Sequence, residues 1–195
     1  MKSASGFRRP ASASAECAVS TLEIERLNFY RASELHGGLV LGQLVRRARD
    51  PHLMLELTRH SAEEVVHAQL WTETILTVGG TPRPLRDTYQ TYYAKAIGAP
   101  ASVLQVLALT QIFERRVYRH FLDHARIPGT HPVVRATLER MCEEEKHHLS
   151  WVKHWLDAEA GRDPDRVARV MAHYAAVDEA IYQRLTVDFG FRRAA

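Results

Sequence analysis

The sequence contains few of the residues that would identify a disulfide-rich, fibrous or membrane protein. Its two cysteines, Cys17 and Cys142, cannot form a disulfide framework or a four-thiolate metal site. A reducing, cytoplasmic location is therefore the default expectation. Glycine (10) and proline (8) are too scarce for a fibrous or low-complexity chain. No apolar run approaches the ~20 residues of a membrane-spanning helix, so no membrane partner is expected.

The composition is that of an ordinary globular chain with one unusual feature, its histidine content. The 195 residues are 46% hydrophobic and 25% charged, which suits one domain with its own core. The net charge is +3, but the arginines are scattered along predicted helices, which disfavours nucleic-acid binding as the main function. Eleven histidines are more informative, because imidazole is the commonest side-chain metal ligand.

The N-terminal residues 1–20 differ from the rest of the chain. They are rich in Ala and Ser, show no periodicity and contain no acidic residue before Glu16. A disordered tail is the favoured interpretation, with a transit peptide as the alternative. We predict a single helical domain over residues 21–190.

Proline and glycine divide that domain into long helical segments, and no alternating strand pattern interrupts them. Asp50-Pro51 and Asp163-Pro164 each combine a capping residue with a first-turn proline. The predicted class is all-α, with helices over 21–48, 51–79, 100–127, 130–161 and 163–190, and a connection of weak helical character over 81–99. Short turns predict two antiparallel hairpins, and the long connection predicts one crossover between them. This is the ferritin-like form of the four-helix bundle, with an additional C-terminal helix.

The second and fourth predicted helices contain the same Glu-x-x-His pattern. These are Glu64-Val-Val-His67 and Glu145-Lys-His-His148, and a spacing of three places each pair on one helical face. Helical phase selects this register, because the neighbouring Glu63 and the pair Glu144 and His147 fall in line with charged residues on faces predicted to be solvated.

The first and third predicted helices each add one carboxylate on an apolar stripe. Glu34 precedes Glu64 by 30 residues, and Glu114 precedes Glu145 by 31. In antiparallel hairpins, these similar separations place each lone Glu opposite a Glu-x-x-His. One Glu from each of two helices and Glu-x-x-His from each of the other two is the ligand set of di-iron and di-manganese carboxylate bundles.

On these residues, the sequence resembles the ferritin-like diiron-carboxylate superfamily over roughly 21–158. The resemblance implies a metal site made of Glu34, Glu64, His67, Glu114, Glu145 and His148. In it Glu64 and Glu145 would bridge two metal ions, Glu34 and Glu114 would each bind one, and the histidines would supply one nitrogen per metal. The implied cofactor is a pair of iron ions, with Mn/Fe as an alternative, since oxygen and imidazole ligands suit both metals.

The expected function is that of an O₂-dependent diiron oxidase or monooxygenase acting on a small organic substrate, with an external electron donor. A homodimer is compatible with it. The alternatives are a ferroxidase or iron-handling protein, a tRNA-modifying hydroxylase and a metal-free helical interaction module.

Several residues near the predicted site remain open to two interpretations. Tyr30, Tyr118 and the three tryptophans are ordinary core aromatics or take part in hydrogen bonding and electron relay. The pair Gly37-Gly38 in mid-helix indicates close helix packing or space for a ligand. Cys142 is a small buried apolar residue or a redox thiol.

The remaining histidines and the last helix are given structural roles. His173, Tyr174 and Asp178 are more simply explained by surface or packing roles than by a further ligand or proton relay. We expect exposed or capping positions for six histidines, namely His36, His52, His120, His124, His131 and His154.

Overall fold

The chain folds into α-helices connected by short turns and one long segment. The computed structural model describes residues 19–188, in which there are six helices and no β-strand. The predicted all-α class is therefore confirmed. Most of the predicted tail over 1–20, including Cys17, lies outside the described residues, as does Gly190 at the predicted end of the last helix. The helices are α1 (Thr21–Val45), α2 (Pro51–Thr77), α3 (Tyr89–Ile97), α4 (Val103–Ala125), α5 (Pro132–Ala160) and α6 (Pro164–Asp188).

The helix starts follow the capping residues in the sequence. The Asp50 side chain accepts a hydrogen bond from the Leu53 backbone N–H at 2.8 Å, and Pro51 occupies the first turn of α2. His131 caps α5 through a hydrogen bond from the Val133 N–H, which confirms the capping role expected of this histidine. Beyond the C-terminus of α2, Gly79 adopts φ +79°, a conformation that favours glycine.

The long connection differs from the prediction. It contains the helix α3, which begins at a capping box formed by Thr88 and Thr91 and was predicted only as weak helical character. The following helix begins at Val103 and not at Pro100, because the Ser102 hydroxyl accepts from the Gln105 N–H and so fixes the cap there. Local side-chain hydrogen bonds therefore set the start of α3 and the start of α4. The positions of proline and glycine in the sequence do not indicate such bonds.

The two predicted hairpins are antiparallel pairs of packed helices. The start of α1 lies beside the chain that follows α2, since the Asn28 amide donates to the Thr81 carbonyl oxygen. In mid-helix, a Cβ atom at Gly38 would lie 2.9 Å from the Ser61 carbonyl oxygen, so this glycine allows the close approach of α1 and α2. In the second hairpin, Arg135 near the start of α5 donates to the Ala125 carbonyl oxygen at the end of α4.

The two hairpins face each other, again with antiparallel neighbours. Tyr30 of α1 contacts His120 of α4, and Thr74 of α2 forms a hydrogen bond with Thr137 of α5. Each of α1, α2, α4 and α5 is therefore antiparallel to two neighbours. The segment from α2 to α4 runs the length of this four-helix arrangement and contains α3.

The interior consists of two apolar clusters that lie toward opposite ends of the helices. One cluster includes Leu27, Trp71 and Leu138, and the other includes Leu44, Leu57 and Leu156. Between them, at the middle of the four helices, lie buried glutamate and histidine side chains. Burial of ionised groups at this level is costly unless each is paired or binds a metal.

The helices α3 and α6 pack on the outside of this arrangement. Asp178 of α6 is buried and accepts hydrogen bonds from Tyr93 of α3 and Arg116 of α4, and Tyr174 is also buried, whereas His173 is exposed. These contacts support the packing interpretation of α6. Among the described residues, every helix is too short or too polar to span a bilayer.

Candidate metal centre

The two Glu-x-x-His patterns meet at the centre of the structure. Glu64 and His67 project from α2, Glu145 and His148 project from α5, and all four residues are at least 96% buried. His148 Nδ1 lies 3.1 Å from Glu145 Oε2 and 3.3 Å from Glu64 Oε1. His67 Nδ1 lies 3.3 Å from Glu145 Oε1. The register chosen from the sequence therefore places the inward pairs together.

Two overlapping groups of four side chains are compact enough to hold a metal ion. In each, one possible ligand atom per residue lies within 4.8 Å of the others. Both groups contain Glu64 and His148, and all members are buried. The first group is completed by His60 and Glu114, and the second by His67 and Glu145.

His60 is a member of the cluster that the sequence analysis missed. Its Nε2 lies 2.8 Å from Glu114 Oε1 and 3.1 Å from Glu64 Oε1, and its ring stacks on that of His148 at 3.7 Å. It precedes Glu64 by four residues and so lies on the same inward face of α2. Helical phase could therefore have indicated it. The equivalent position before Glu145 is Met141, so comparison of the two patterns gave no sign of it.

Glu34 is the one predicted ligand outside both groups. It is buried beside Glu64 and shares a hydrogen bond with it. Burial raises the pKa of Glu34 well above its usual value, and repulsion from Glu64 and Glu145 raises it further. The hydrogen bond that Glu34 shares with Glu64 raises the pKa of Glu34 as well.

Glu64 and Glu145 form charged pairs with the histidines, whereas burial raises the pKa of Glu114. Burial favours the neutral form of Glu64, but hydrogen bonds from His148 and His60 hold its pKa well below the usual value. The pKa of Glu145 is also lowered, because hydrogen bonds from His148 and His67 outweigh burial. Burial favours neutral histidines as well, yet Glu114 and Glu64 raise the pKa of His60 to about 9, and Glu145 and Glu64 raise that of His148 to about 12.

The distal nitrogens of two central histidines contact carboxylates that the sequence analysis placed on solvated faces. Glu63 Oε2 lies 2.8 Å from His148 Nε2, and Glu144 Oε2 lies 3.0 Å from His67 Nε2. The side chain of Glu63 is 48% exposed and that of Glu144 37%, so the expectation of solvated positions holds only in part. Glu63 of α2 thus orients His148 of α5, and Glu144 of α5 orients His67 of α2. Sequence periodicity describes one helix at a time and cannot show these contacts between α2 and α5.

The donor set fits divalent metal ions that bind oxygen and imidazole nitrogen. Glu114 Oε2 is buried with no hydrogen-bond partner, and His67 Nδ1 is also buried without a well-aligned one. Buried polar atoms in native proteins are normally satisfied, and a bound ion would satisfy both. The ligand atoms are carboxylate oxygens and imidazole nitrogens, a set that suits iron or manganese.

A cavity of about 300 Å³ reaches this centre from the side of α1, α3 and α4. Its inner end is lined by Glu64 and Glu114, and its walls are mostly apolar. Gly37 lies at the inner end, where an added Cβ atom would be 3.0 Å from Glu64 Oε2. The two adjacent glycines of α1 therefore have different roles, since Gly38 allows helix packing and Gly37 leaves space beside a candidate ligand.

His120 and His124 are buried, which corrects the expectation that they are exposed or capping residues. The Tyr30 hydroxyl lies 2.7 Å from His120 Nε2 and 3.1 Å from His124 Nδ1, and His124 Nε2 lies 2.6 Å from Glu23 Oε1. Partners from α1 stabilise these polar rings where α1 and α4 pack together. Because those partners are about 90 to 100 residues away in sequence, no local pattern indicates them.

The structure also distinguishes between the interpretations of Cys142 and of the aromatic residues. Burial and the nearby Glu145 raise the pKa of the Cys142 thiol to about 11, so it packs as a small apolar residue and not as a thiolate. The Nε1 atoms of Trp71 and Trp151 are buried without hydrogen-bond partners, and both rings belong to the apolar clusters. These contacts support core packing for the two tryptophans, whereas Tyr30 takes part in hydrogen bonding.

Comparisons of this chain with protein-family models, with curated proteins and with solved structures found no significant match. The interpretation of the centre therefore rests on the arrangement of its own residues.

Proposed function

We propose that this protein is a ferritin-like diiron-carboxylate oxidoreductase that uses O₂ to oxidise a small organic substrate. One observation carries the proposal: two overlapping groups of buried glutamates and histidines lie at the middle of four antiparallel helices. The paired hairpins and the long connection between α2 and α4 support the ferritin-like arrangement.

The residues that would hold two metal ions are those of the two groups, with Glu64 and His148 common to both. Glu34, hydrogen-bonded to Glu64, is available as a further ligand. Two ferrous ions bound there would supply electrons to O₂ and so provide oxidising chemistry.

The protein's own residues would perform three tasks around these ions. Glu63 and Glu144 accept hydrogen bonds at the distal nitrogens of His148 and His67, which fixes the orientation of both rings. The apolar clusters on either side exclude bulk water from the centre. The cavity lined by Glu64 and Glu114 gives an organic molecule direct access to the ligands.

This cavity favours an organic substrate over iron alone. An iron-handling protein requires a path for hydrated cations, which polar and acidic walls would serve best. The walls here are mostly apolar, as is usual for sites that bind organic molecules. An oxidase or monooxygenase is thus the better-supported assignment.

Anaerobic loading of the full chain with Fe(II), followed by desalting, tests the proposal. We expect two tightly held iron ions per chain and rapid O₂ consumption when air is admitted. His147→Ala is the matched control, because this exposed residue neighbours His148 but faces away from the cluster.

Retention of less than one iron ion per chain would contradict the proposal and favour a metal-free helical module. Assembly into a large shell that takes up iron far beyond the dinuclear complement would instead favour iron storage.

A further inference from the structure

The cavity beside the metal centre is elongated along α1. Its lining on that helix begins at His36 and Gly37, at the level of Glu64, and ends at Arg47, two residues beyond the end of the helix at Val45. The ten helical residues 36–45 correspond to about 15 Å. A volume of about 300 Å³ over this length has room for one unbranched chain and not for a broad ring system. It lies at the lower end of the range for small-molecule sites.

The two ends of the cavity differ in burial and in charge. The inner end is lined by the buried carboxyl groups of Glu64 and Glu114, which are paired with His60 and His148. The outer end is lined by Arg47, which is exposed and forms no ion pair with any residue in the described range 19–188. A guanidinium group binds a carboxylate through two parallel hydrogen bonds.

Between its two ends the cavity is lined mainly by apolar side chains, with polar groups at Gln90 and Thr110. Its walls there include Val40, Leu41, Leu44, Val106 and Leu109. Burial of a hydrocarbon chain against such walls contributes about 0.8 kcal/mol per CH₂ group. A polar chain in the same place would lose its hydrogen bonds to water.

We propose that the cavity binds a linear aliphatic carboxylate, with its carboxylate at Arg47 and its hydrocarbon end beside Glu64 and Glu114. The orientation follows from burial and charge, because the exposed Arg47 attracts the carboxylate where it stays hydrated, whereas the buried inner end would remove its water. As a substrate assignment, the inference rests on the proposed function. Binding itself requires no metal and can be measured separately.

Calorimetric titration of the metal-free full chain with decanoate tests the inference, with decan-1-ol as the matched neutral probe. We expect saturable binding of decanoate and roughly tenfold weaker binding to Arg47→Gln, which corresponds to about 1.4 kcal/mol. Decan-1-ol should bind the variant and the unmodified protein equally. Equal decanoate affinity for both proteins, or no decanoate binding at all, would overturn the inference.

A second variant tests the depth of the cavity. Gly37→Ala places a methyl group at the inner end, 3.0 Å from Glu64 Oε2, and should shift the preferred ligand from decanoate toward octanoate. Gly42→Ala is the control, because its Cβ atom would meet Ser61 Oγ at the same 3.0 Å but lies outside the cavity lining. An unchanged chain-length preference in Gly37→Ala would contradict the proposed orientation.

The two proposals fail separately. Decanoate binding without iron retention would remove the proposed function and leave a carboxylate-binding site. Iron retention with O₂ consumption but no decanoate binding would remove only the ligand assignment.

Discussion

The protein contains two clusters of buried histidines in different surroundings. At the centre, His60, His67 and His148 each lie within 3.3 Å of a buried glutamate. At the packing of α1 against α4, His120 and His124 contact the hydroxyl of Tyr30. Burial is almost complete in both clusters.

The difference shows that burial alone does not identify a metal-binding histidine. In the central cluster, glutamates outweigh burial and raise the histidine pKa values. In the outer cluster, burial dominates and the neighbouring His124 adds repulsion, so the pKa of His120 falls to about 3. Each central imidazole lies beside buried carboxylates that could share a metal ion, whereas the His120 ring contacts the hydroxyl of Tyr30.

Removal of the shared central histidine should have the largest effect. We expect His148→Ala to lose most of the iron retained after anaerobic loading, because this residue belongs to both candidate groups. His120→Phe, which removes an equally buried histidine from the outer cluster, should retain iron normally. Iron per chain, determined by elemental analysis on folded protein verified by circular dichroism, measures the contrast. Equal losses in both variants would remove the distinction between the clusters.

The His60–Glu114 pair should contribute strongly to the stability of the metal-free protein. His60→Met introduces the residue found at the equivalent position of α5 and leaves Glu114 without its partner, at a cost of about 3–5 kcal/mol in unfolding free energy. Adding Glu114→Gln should recover part of this loss, because no unpaired acid then remains buried. Urea denaturation in the presence of chelator measures both variants. A double variant less stable than His60→Met would contradict the pairing.

The half-exposed carboxylates should have smaller and similar effects. Glu63→Gln and Glu144→Gln each weaken the orientation of one central histidine and should lower iron affinity roughly 10–100-fold. Glu143→Gln is the control, since Glu143 pairs only with Lys146 on the surface. Competition with a chelator of known affinity measures all three. Affinities that match the control would show that these contacts do not orient the ligands.

A separate expected effect, on stability and not on metal binding, is a pH dependence that originates in the outer cluster. The pKa of His120 is 6.5 when unfolded and about 3 when folded, so its contribution is complete above pH 6.5 and is lost as the pH falls toward 3. One proton taken up on unfolding corresponds to about 1.4 kcal/mol per pH unit. The charged and titratable groups facing His120 are Tyr30, Tyr182, His124, Arg26 and Arg116.

Substitution isolates this dependence. His120→Gln, compared with the unmodified chain in chelator, should show a shallower loss of unfolding free energy between pH 6.5 and pH 3. Identical pH profiles would contradict a neutral, buried His120.

Signals within single helices made much of this architecture predictable. Asp50-Pro51 and Asp163-Pro164 indicated the starts of α2 and α6, since capping and proline geometry act over one turn. Helical phase selected Glu145 and His148 over Glu144 and His147, and the structure buries the selected pair. The separations of 30 and 31 residues predicted the lone glutamates at the level of the motifs, and the structure places Glu34 beside Glu64 and Glu114 beside His60.

Contacts between distant helices could not be predicted in the same way. His60 has no counterpart on α5, and its partner Glu114 lies on α4. The contacts of Glu63 with His148 and of Glu144 with His67 depend on how α2 and α5 pack. The helix α3 depends on a capping box in a segment of weak periodicity. The assignment of these residues as metal ligands or their partners stays a prediction.

The most direct test is a crystal structure of the iron-loaded full chain, measured with anomalous scattering at the iron edge. We expect two anomalous peaks among the buried glutamates and histidines, with Glu64 next to both. No peak at this position, or iron bound only at surface carboxylates, would contradict a dinuclear centre in this protein.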